Sequence, residues 1–409
     1  MRTLLATFVG IAAVVNPAQG QPVYDFSGVT ALAEGALAGQ NVNVPVPGFE
    51  LLLMKDGQVV YRRAFGAWSL DEVAAADSST KTLSGALVMS LTESSDRPFS
   101  LSSRVSEFIP QFTGLKQFIT IRQCFSHTAG TGQNGAEGNP GVTLQEAALL
   151  IAAAPLSYVP GTAFSYGGTS MHAAGAAAEL AGGQPWNTLF AQRITGPLGL
   201  TRTRFVLTTP DNPRIAGGCE STALEFATFM EMLRRGGLHA GPGGDVRVLQ
   251  QASVDAMFTR QTPPDVPVLS SPYTGDGDYG VGVWLDERTP DGTLRGALAA
   301  GARGFSSWID FDDGMVGAFA TDRTQSSNIR TLVNLIRDAA AAAVRAGCDP
   351  DVNADGSADQ DDVACLALAV AGESSCLGMG ADPDFNRDGN VDQDDVDALA
   401  QVVAGSGCP

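Results

Sequence analysis

A serine hydroxyl is a poor nucleophile at neutral pH unless a base lies within hydrogen-bond reach. The stretch Ser78-Ser79-Thr80-Lys81 places both residue types three positions apart. Leu83, Leu87, Val88 and Leu91 follow at helical spacing, which predicts a helix over 78–92. Residues i and i+3 share a helix face, so the Lys81 amine can reach Ser78 Oγ. The start of a helix also points free N–H groups at the reacting centre. A lysine acting as base must be partly neutral, a condition that burial or a cationic neighbour creates. The chemistry expected is acyl transfer through a serine ester. Taken alone, the four residues read more readily as a helix cap followed by an exposed lysine.

A second set of residues suggests metal binding. Asp351, Asn353, Asp355, Ser357 (through its carbonyl), Asp359 and Asp362 occupy positions 1, 3, 5, 7, 9 and 12 of a loop with glycine at position 6. The pattern returns 33 residues later as Asp384, Asn386, Asp388, Asn390 (carbonyl), Asp392 and Asp395. Calcium takes six to eight oxygen ligands, and the glycine permits the sharp turn such a loop needs. Two Ca2+ sites are expected, with a short apolar helix after each loop. Without metal the clustered carboxylates repel one another, so calcium is expected to fold this segment.

The elements that position the serine follow from pattern. Asp56-Gly57 between the apolar runs 49–53 and 59–61 signals a hairpin. Helices are expected near 144–153, 169–181, 222–235 and 328–346, and strands at 279–284 and 305–309. Strands at both ends with helices between them indicate an α+β domain.

With these landmarks in order, residues 25–345 resemble the serine beta-lactamase and penicillin-binding-protein-like hydrolases. The likeness is strongest to the branch of class C beta-lactamases, D-aminopeptidase-type enzymes and lactamase-like esterases. Val46-Pro47-Gly48-Phe49 through Gly66 looks like the family's opening hairpin, and Ser78–Lys81 like its first catalytic motif. Ile121 to Gly130, containing Ser126-His127-Thr128-Ala129-Gly130, resembles its Ser-His-Thr-Ser-Gly turn. Pro160 to Tyr166 resembles the approach to the second motif. Pro197-Leu198-Gly199-Leu200 and Ala216-Gly217-Gly218 are further landmarks. The resemblance implies an antiparallel sheet flanked by helices, an all-helical subdomain, and Tyr166 as a proton relay beside Ser78 and Lys81. It implies an oxyanion hole from the N–H groups of Ser78 and Ala302, a structural role for His127, and no cofactor for catalysis. His172 and His239 show no partner pattern.

Two departures bear on substrate. The second motif usually reads Tyr-x-Asn, whereas here it is Tyr166-Gly167-Gly168. The third usually opens with Lys or His, whereas here it is Ala299-Ala300-Gly301. Gly168, Ala299 and Gly301 are therefore the expected substrate-binding positions, with an amide and a cation missing. Losing a charge-assisted hydrogen bond costs about 1.5–3 kcal/mol, which disfavours beta-lactams and favours an esterase-like hydrolase. A beta-lactamase or D-amino-acid peptidase, and a non-catalytic attachment protein, are the alternatives. The acidic repeats resemble a type I dockerin, with Asp rather than Glu at position 12. That likeness implies a small helical, EF-hand-like module and a cohesin-like protein partner.

Composition bounds the rest. The 409 residues carry a net charge of −19, of which −13 falls in 347–409. No basic face exists for nucleic acid. Arg2, the apolar run 4–15 and Ala18-Gln19-Gly20 read as an export signal over 1–20, so the protein is expected to be secreted, periplasmic or surface-associated. The domains expected are 21–346 for the hydrolase and 347–409 for the acidic module, with no membrane span. Export permits disulfides. The six cysteines allow 15 pairings, of which Cys348–Cys408, flanking the module, and Cys365–Cys376, within it, are the expected ones.

Overall fold

Asp56 and Gly57 adopt positive φ, 46° and 84°, as a two-residue turn matched to strand twist requires. They join β1 (Gly48–Lys55) to β2 (Gln58–Gly66). The computed structural model describes residues 24–241, 243–273, 277–323, 328–378, 381–386 and 389–404. The expected export signal 1–20, the expected calcium ligand Asp388 and Cys408 lie outside them.

β1 is buried along its whole length, because it lies inside a six-stranded sheet. The other strands come from the far end of the chain: β3 (Trp284–Arg288), β4 (Leu294–Ala300), β5 (Ser306–Asp310) and β6 (Met315–Ala320). Their order is β3-β4-β5-β6-β1-β2, every neighbouring pair antiparallel. Buried Glu50 on β1 keeps its charge paired, accepting from Arg62 Nε at 2.7 Å and Asp71 N at 2.9 Å. An unpaired charge there would be strongly destabilising.

The longer helices include α1 (Ser27–Leu37), α2 (Thr80–Glu93), α3 (Thr169–Gly182), α4 (Ala223–Arg234) and α5 (Ile329–Ala346). α2 is buried on all sides from Thr80 to Leu91, so its polar side chains need internal partners. Thr80 Oγ1 accepts from Cys219 N at 3.1 Å, Thr82 donates to Gly282 O at 2.9 Å, and Ser84 donates to Ile215 O at 2.6 Å. These bonds fix the helix that carries Lys81.

One expectation is corrected, and one strand appears that was not expected. Residues 279–283 form no strand; β3 begins at Trp284. The segment instead runs against α2 so closely that a Cβ on Gly85 would sit 2.3 Å from Val281 O, and one on Gly282 2.2 Å from Lys81 O. β4 had no strand signal, since Leu294-Arg-Gly-Ala-Leu-Ala-Ala300 is rich in helix formers; its antiparallel pairing with β3 and β5 decides its conformation.

The chain divides into two compact units, Asp25–Val344 and a second that takes in Arg345 onward. In the second, α6 (Gln360–Val370) and α7 (Gln393–Val403) each follow an aspartate cap, Asp359 and Asp392, whose backbone N–H donates in return to the carboxylate of Asp362 or Asp395. Val352, Cys365, Leu366, Phe385, Val396, Leu399 and Val402 form its core. Cys365 and Cys376 are disulfide-bonded, with Cα atoms 5.7 Å apart. Cys348 is also disulfide-bonded. Cys124 and Cys219 are free and buried. Among the described residues no helix is long and apolar enough to cross a membrane.

Candidate active site

Ser78 sits in a single 3-10 turn, 77–79, that opens directly into α2. Lys81, one turn on and 3% exposed, donates from Nζ to Ser78 Oγ at 3.0 Å and to Ala216 O at 2.8 Å. Burial pushes its pKa down to about 7, with Arg214 helping and the carboxylates of Glu137 and Asp77 opposing. Neutral Lys81, the state that accepts a proton, is therefore accessible near pH 7.

Tyr166 follows a two-residue strand, Phe164–Ser165, and precedes α3. Its backbone N–H donates to Ser270 O at 2.9 Å. Its ring stacks on Trp284, centroids 5.4 Å apart, and lies 4.6 Å from Lys81 Nζ. Burial raises the pKa of the phenol to about 12, with the nearby Ser78 hydroxyl opposing. The phenol therefore stays protonated at neutral pH. Ser78, Lys81 and Tyr166, the last named only through the family resemblance, thus meet at one place.

His127 packs beside Tyr166 and Tyr279. Burial, with Lys81 adding to it, lowers its pKa well below the usual value, so it stays neutral. Its Nδ1 accepts from Gly167 N at 3.4 Å. His172 is buried and bonded to Asn212.

Ser78, Lys81 and Tyr166 line one cavity of about 290 Å3 together with Asp77, Gln133, Glu137, Gly167, Gly168, Arg214, Ala216, Gly217 and Ala302. Of the expected positions, Gly168 and Ala302 line it. Gly301 supports it from behind: a Cβ there would lie 2.5 Å from Ala76 O. Ala299 is a correction. Its side chain is 2% exposed within the hydrophobic core and is not part of the cavity wall. The turn carrying Ala302 is held by Arg303, which bonds Asp77 through its backbone N–H and its guanidinium.

The sequence reading missed Gln133, Glu137 and Arg214. The first two are lone polar residues in an aperiodic stretch, and nothing in that stretch signals a site. Asn134 and Gly135 mark a turn there, and the turn was the one available hint.

Residues 34–341 match the Beta-lactamase family. The chain belongs to that family. A D-aminopeptidase of Cereibacter sphaeroides is 30% identical over 171 residues, covering 38% of this chain and 32% of that protein. Esterase EstB of Burkholderia gladioli is 26% identical over 192 residues, covering 40% and 48%. The matches thus span less than half the length of these curated relatives. Among solved structures, EstCE1, a hydrolase with promiscuous acyltransferase activity, superposes with a TM-score of 0.62 at 21% identity, covering 77% of this chain and 97% of that one. The family fold is α+β, as expected.

The two acidic loops lie outside the family match. In the first, Asp351 accepts from Asp355 N and Gly356 N, and Asp362 from Asn353 N and Asp359 N. Gly356 and Gly389 take φ of 93° and 91°, the sharp turn the pattern requires. Burial, with Asp362 and Asp349 nearby, raises Asp351 to about 6. Among the described residues no three His, Cys, Asp or Glu side chains converge closely enough to hold a metal ion. The donor set is nonetheless all oxygen, as a hard cation requires, and buried Asp384 Oδ1 has no hydrogen-bond partner. In chemical kind these residues fit calcium.

Proposed function

We propose that this beta-lactamase-family protein is a serine hydrolase of esters or amides, esterase-like in preference, working through an acyl-enzyme. One observation carries the reading: a buried lysine of pKa about 7 bonded to the Ser78 hydroxyl. Ser78 Oγ attacks the substrate carbonyl while its proton passes to neutral Lys81. The Ser78 and Ala302 N–H groups receive the oxyanion. Tyr166, held as a phenol, delivers a proton to the departing alkoxide or amine and is reprotonated from Lys81. Water, deprotonated by the same pair, then releases the acyl group from Ser78. The third motif carries no Lys or His, which keeps beta-lactams second to esters.

The test is labelling of Ser78 by a fluorophosphonate, with an activated-ester assay beside a chromogenic cephalosporin assay. Stoichiometric labelling that Ser78→Ala abolishes is expected, with ester turnover exceeding cephalosporin turnover. Absence of both labelling and ester turnover sinks the catalytic reading and leaves the attachment-protein alternative.

The C-terminal unit we propose to be a dockerin-like module that binds two calcium ions through the twelve residues named above, with a cohesin-like protein as its partner. Calcium would supply the positive charge that the clustered carboxylates lack. The module should raise its unfolding temperature with calcium in the intact protein, and Asp351→Ala and Asp384→Ala should each lose part of that rise. The export signal at 1–20 is proposed likewise, and N-terminal sequencing of the protein recovered outside the cytoplasm tests it.

A further inference from the structure

Gly167 and Gly168 leave room that other residues fill. A Cβ on Gly167 would lie 2.0 Å from Gln133 Nε2, and one on Gly168 would lie 2.0 Å from Glu137 Oε2. The polar heads that a Tyr-x-Asn motif would carry on its own strand are supplied here from the loop before Leu144. Gln133 is oriented by Thr169, whose hydroxyl donates to its Oε1 at 3.0 Å. The NH2 end therefore faces Gly167 and the cavity.

Glu137 is the unusual member. Its side chain is only 12% exposed. Its one ion-pair partner among the described residues is Arg214 Nε at 3.9 Å, too far for a hydrogen bond. No donor among the described residues bonds its carboxylate. A largely desolvated carboxylate without donors is costly, and a donor arriving with a ligand recovers that cost. The other carboxylate in the cavity, Asp77, is already taken up by Arg303. Glu137 also lies near enough to Lys81 to oppose the fall in its pKa. The carboxylate is therefore on the reacting side of the cavity.

We propose that Glu137 is a specificity-determining residue that receives a cationic amine carried on the acyl part of the substrate, close to the scissile carbonyl. Gln133 Nε2 donates to a neighbouring oxygen of the same acyl group. The preferred substrates are then aminoacyl esters or amides with a free amine, rather than simple fatty acyl esters. The inference rests on the serine-hydrolase reading and narrows it.

The test compares p-nitrophenyl esters of alanine, in both enantiomers, with that of propanoate, which differs by the ammonium alone. Rates are corrected for spontaneous hydrolysis and expressed as a ratio of kcat/KM at one pH. Any effect of Glu137 on Lys81 then cancels. The wild-type protein should favour one alanine ester at least tenfold. Glu137→Gln should lower that ratio at least tenfold while Ser78 still reacts with a fluorophosphonate, which shows that the variant is folded. A wild-type ratio near one, or an unchanged ratio in Glu137→Gln, overturns the proposal but leaves the hydrolase reading standing. Absence of turnover of every ester together with absence of Ser78 labelling overturns both.

Discussion

Arg303 grips Asp77 with three hydrogen bonds, one from its backbone N–H at 3.1 Å and two from its guanidinium at 3.0 Å. Asp77 has a φ of 46°, a left-handed conformation that a non-glycine residue adopts at a cost. The ion pair holds that backbone in place immediately before Ser78 and ties the Ala302 turn to it. Arg303→Ala should lower kcat about 10- to 100-fold with little change in KM, because misplacing catalytic groups by a fraction of an ångström costs on that order. Asp77→Gly retains the conformation without the grip and should show a similar loss. Steady-state kinetics on the two variants check this, and wild-type kcat in Arg303→Ala would refute it.

The lysine sets a pH dependence. Protonated Lys81 cannot take the Ser78 proton, so kcat/KM should fall tenfold per pH unit below about 7 and level off above it. Tyr166, raised to about 12, should give no falling limb in the accessible alkaline range. Glu137 opposes the fall in the Lys81 pKa; Glu137→Gln should therefore move the acidic limb to lower pH. A pH–rate profile of each protein reads all three.

Gly85 sets helix propensity against packing. Alanine is favoured over glycine within a helix by about 1 kcal/mol. Here the new methyl would lie 2.3 Å from the Val281 carbonyl oxygen, and overpacking a core costs about 1–3 kcal/mol. Because the neighbour is backbone, packing should win. Gly85→Ala should lower the thermal midpoint by several degrees, and a stabilised variant would contradict the close approach.

The Cys365–Cys376 bond spans a sequence separation of 11 residues, worth about 3 kcal/mol in chain-entropy terms. Cys365→Ser should destabilise the C-terminal unit by about that much and leave Ser78 labelling intact. Differential scanning calorimetry of the intact protein separates the two effects.

Much of the site was legible because its chemistry is local. Ser78 and Lys81 share one helical turn, and Tyr166 lies in a recognisable approach sequence. The hairpin at Asp56-Gly57 and the helix 144–153 follow from turn chemistry and period. Glu137 and Gln133 were not legible, since their function comes from the absence of side chains 30 residues away, at Gly167 and Gly168. Ala299 was misjudged because a motif match does not say which side chains reach a cavity wall. The segment 279–283 reads as strand by composition, but Val281 and Gly282 donate to Met257 O and Phe125 O rather than to a neighbouring strand.

β1 is made early and β6 more than 250 residues later, yet they pair at the middle of the sheet, Glu50 opposite Ala320. Long-range pairing of this kind is slow to form, because a large loop must close first. Until residue 320 has left the ribosome, β1 keeps an open edge, and Phe305, which bonds the Ser79 hydroxyl through its carbonyl, is not in place. Hydrolytic activity should therefore appear late in biosynthesis and all at once, when the sheet closes, and truncated chains should be inert.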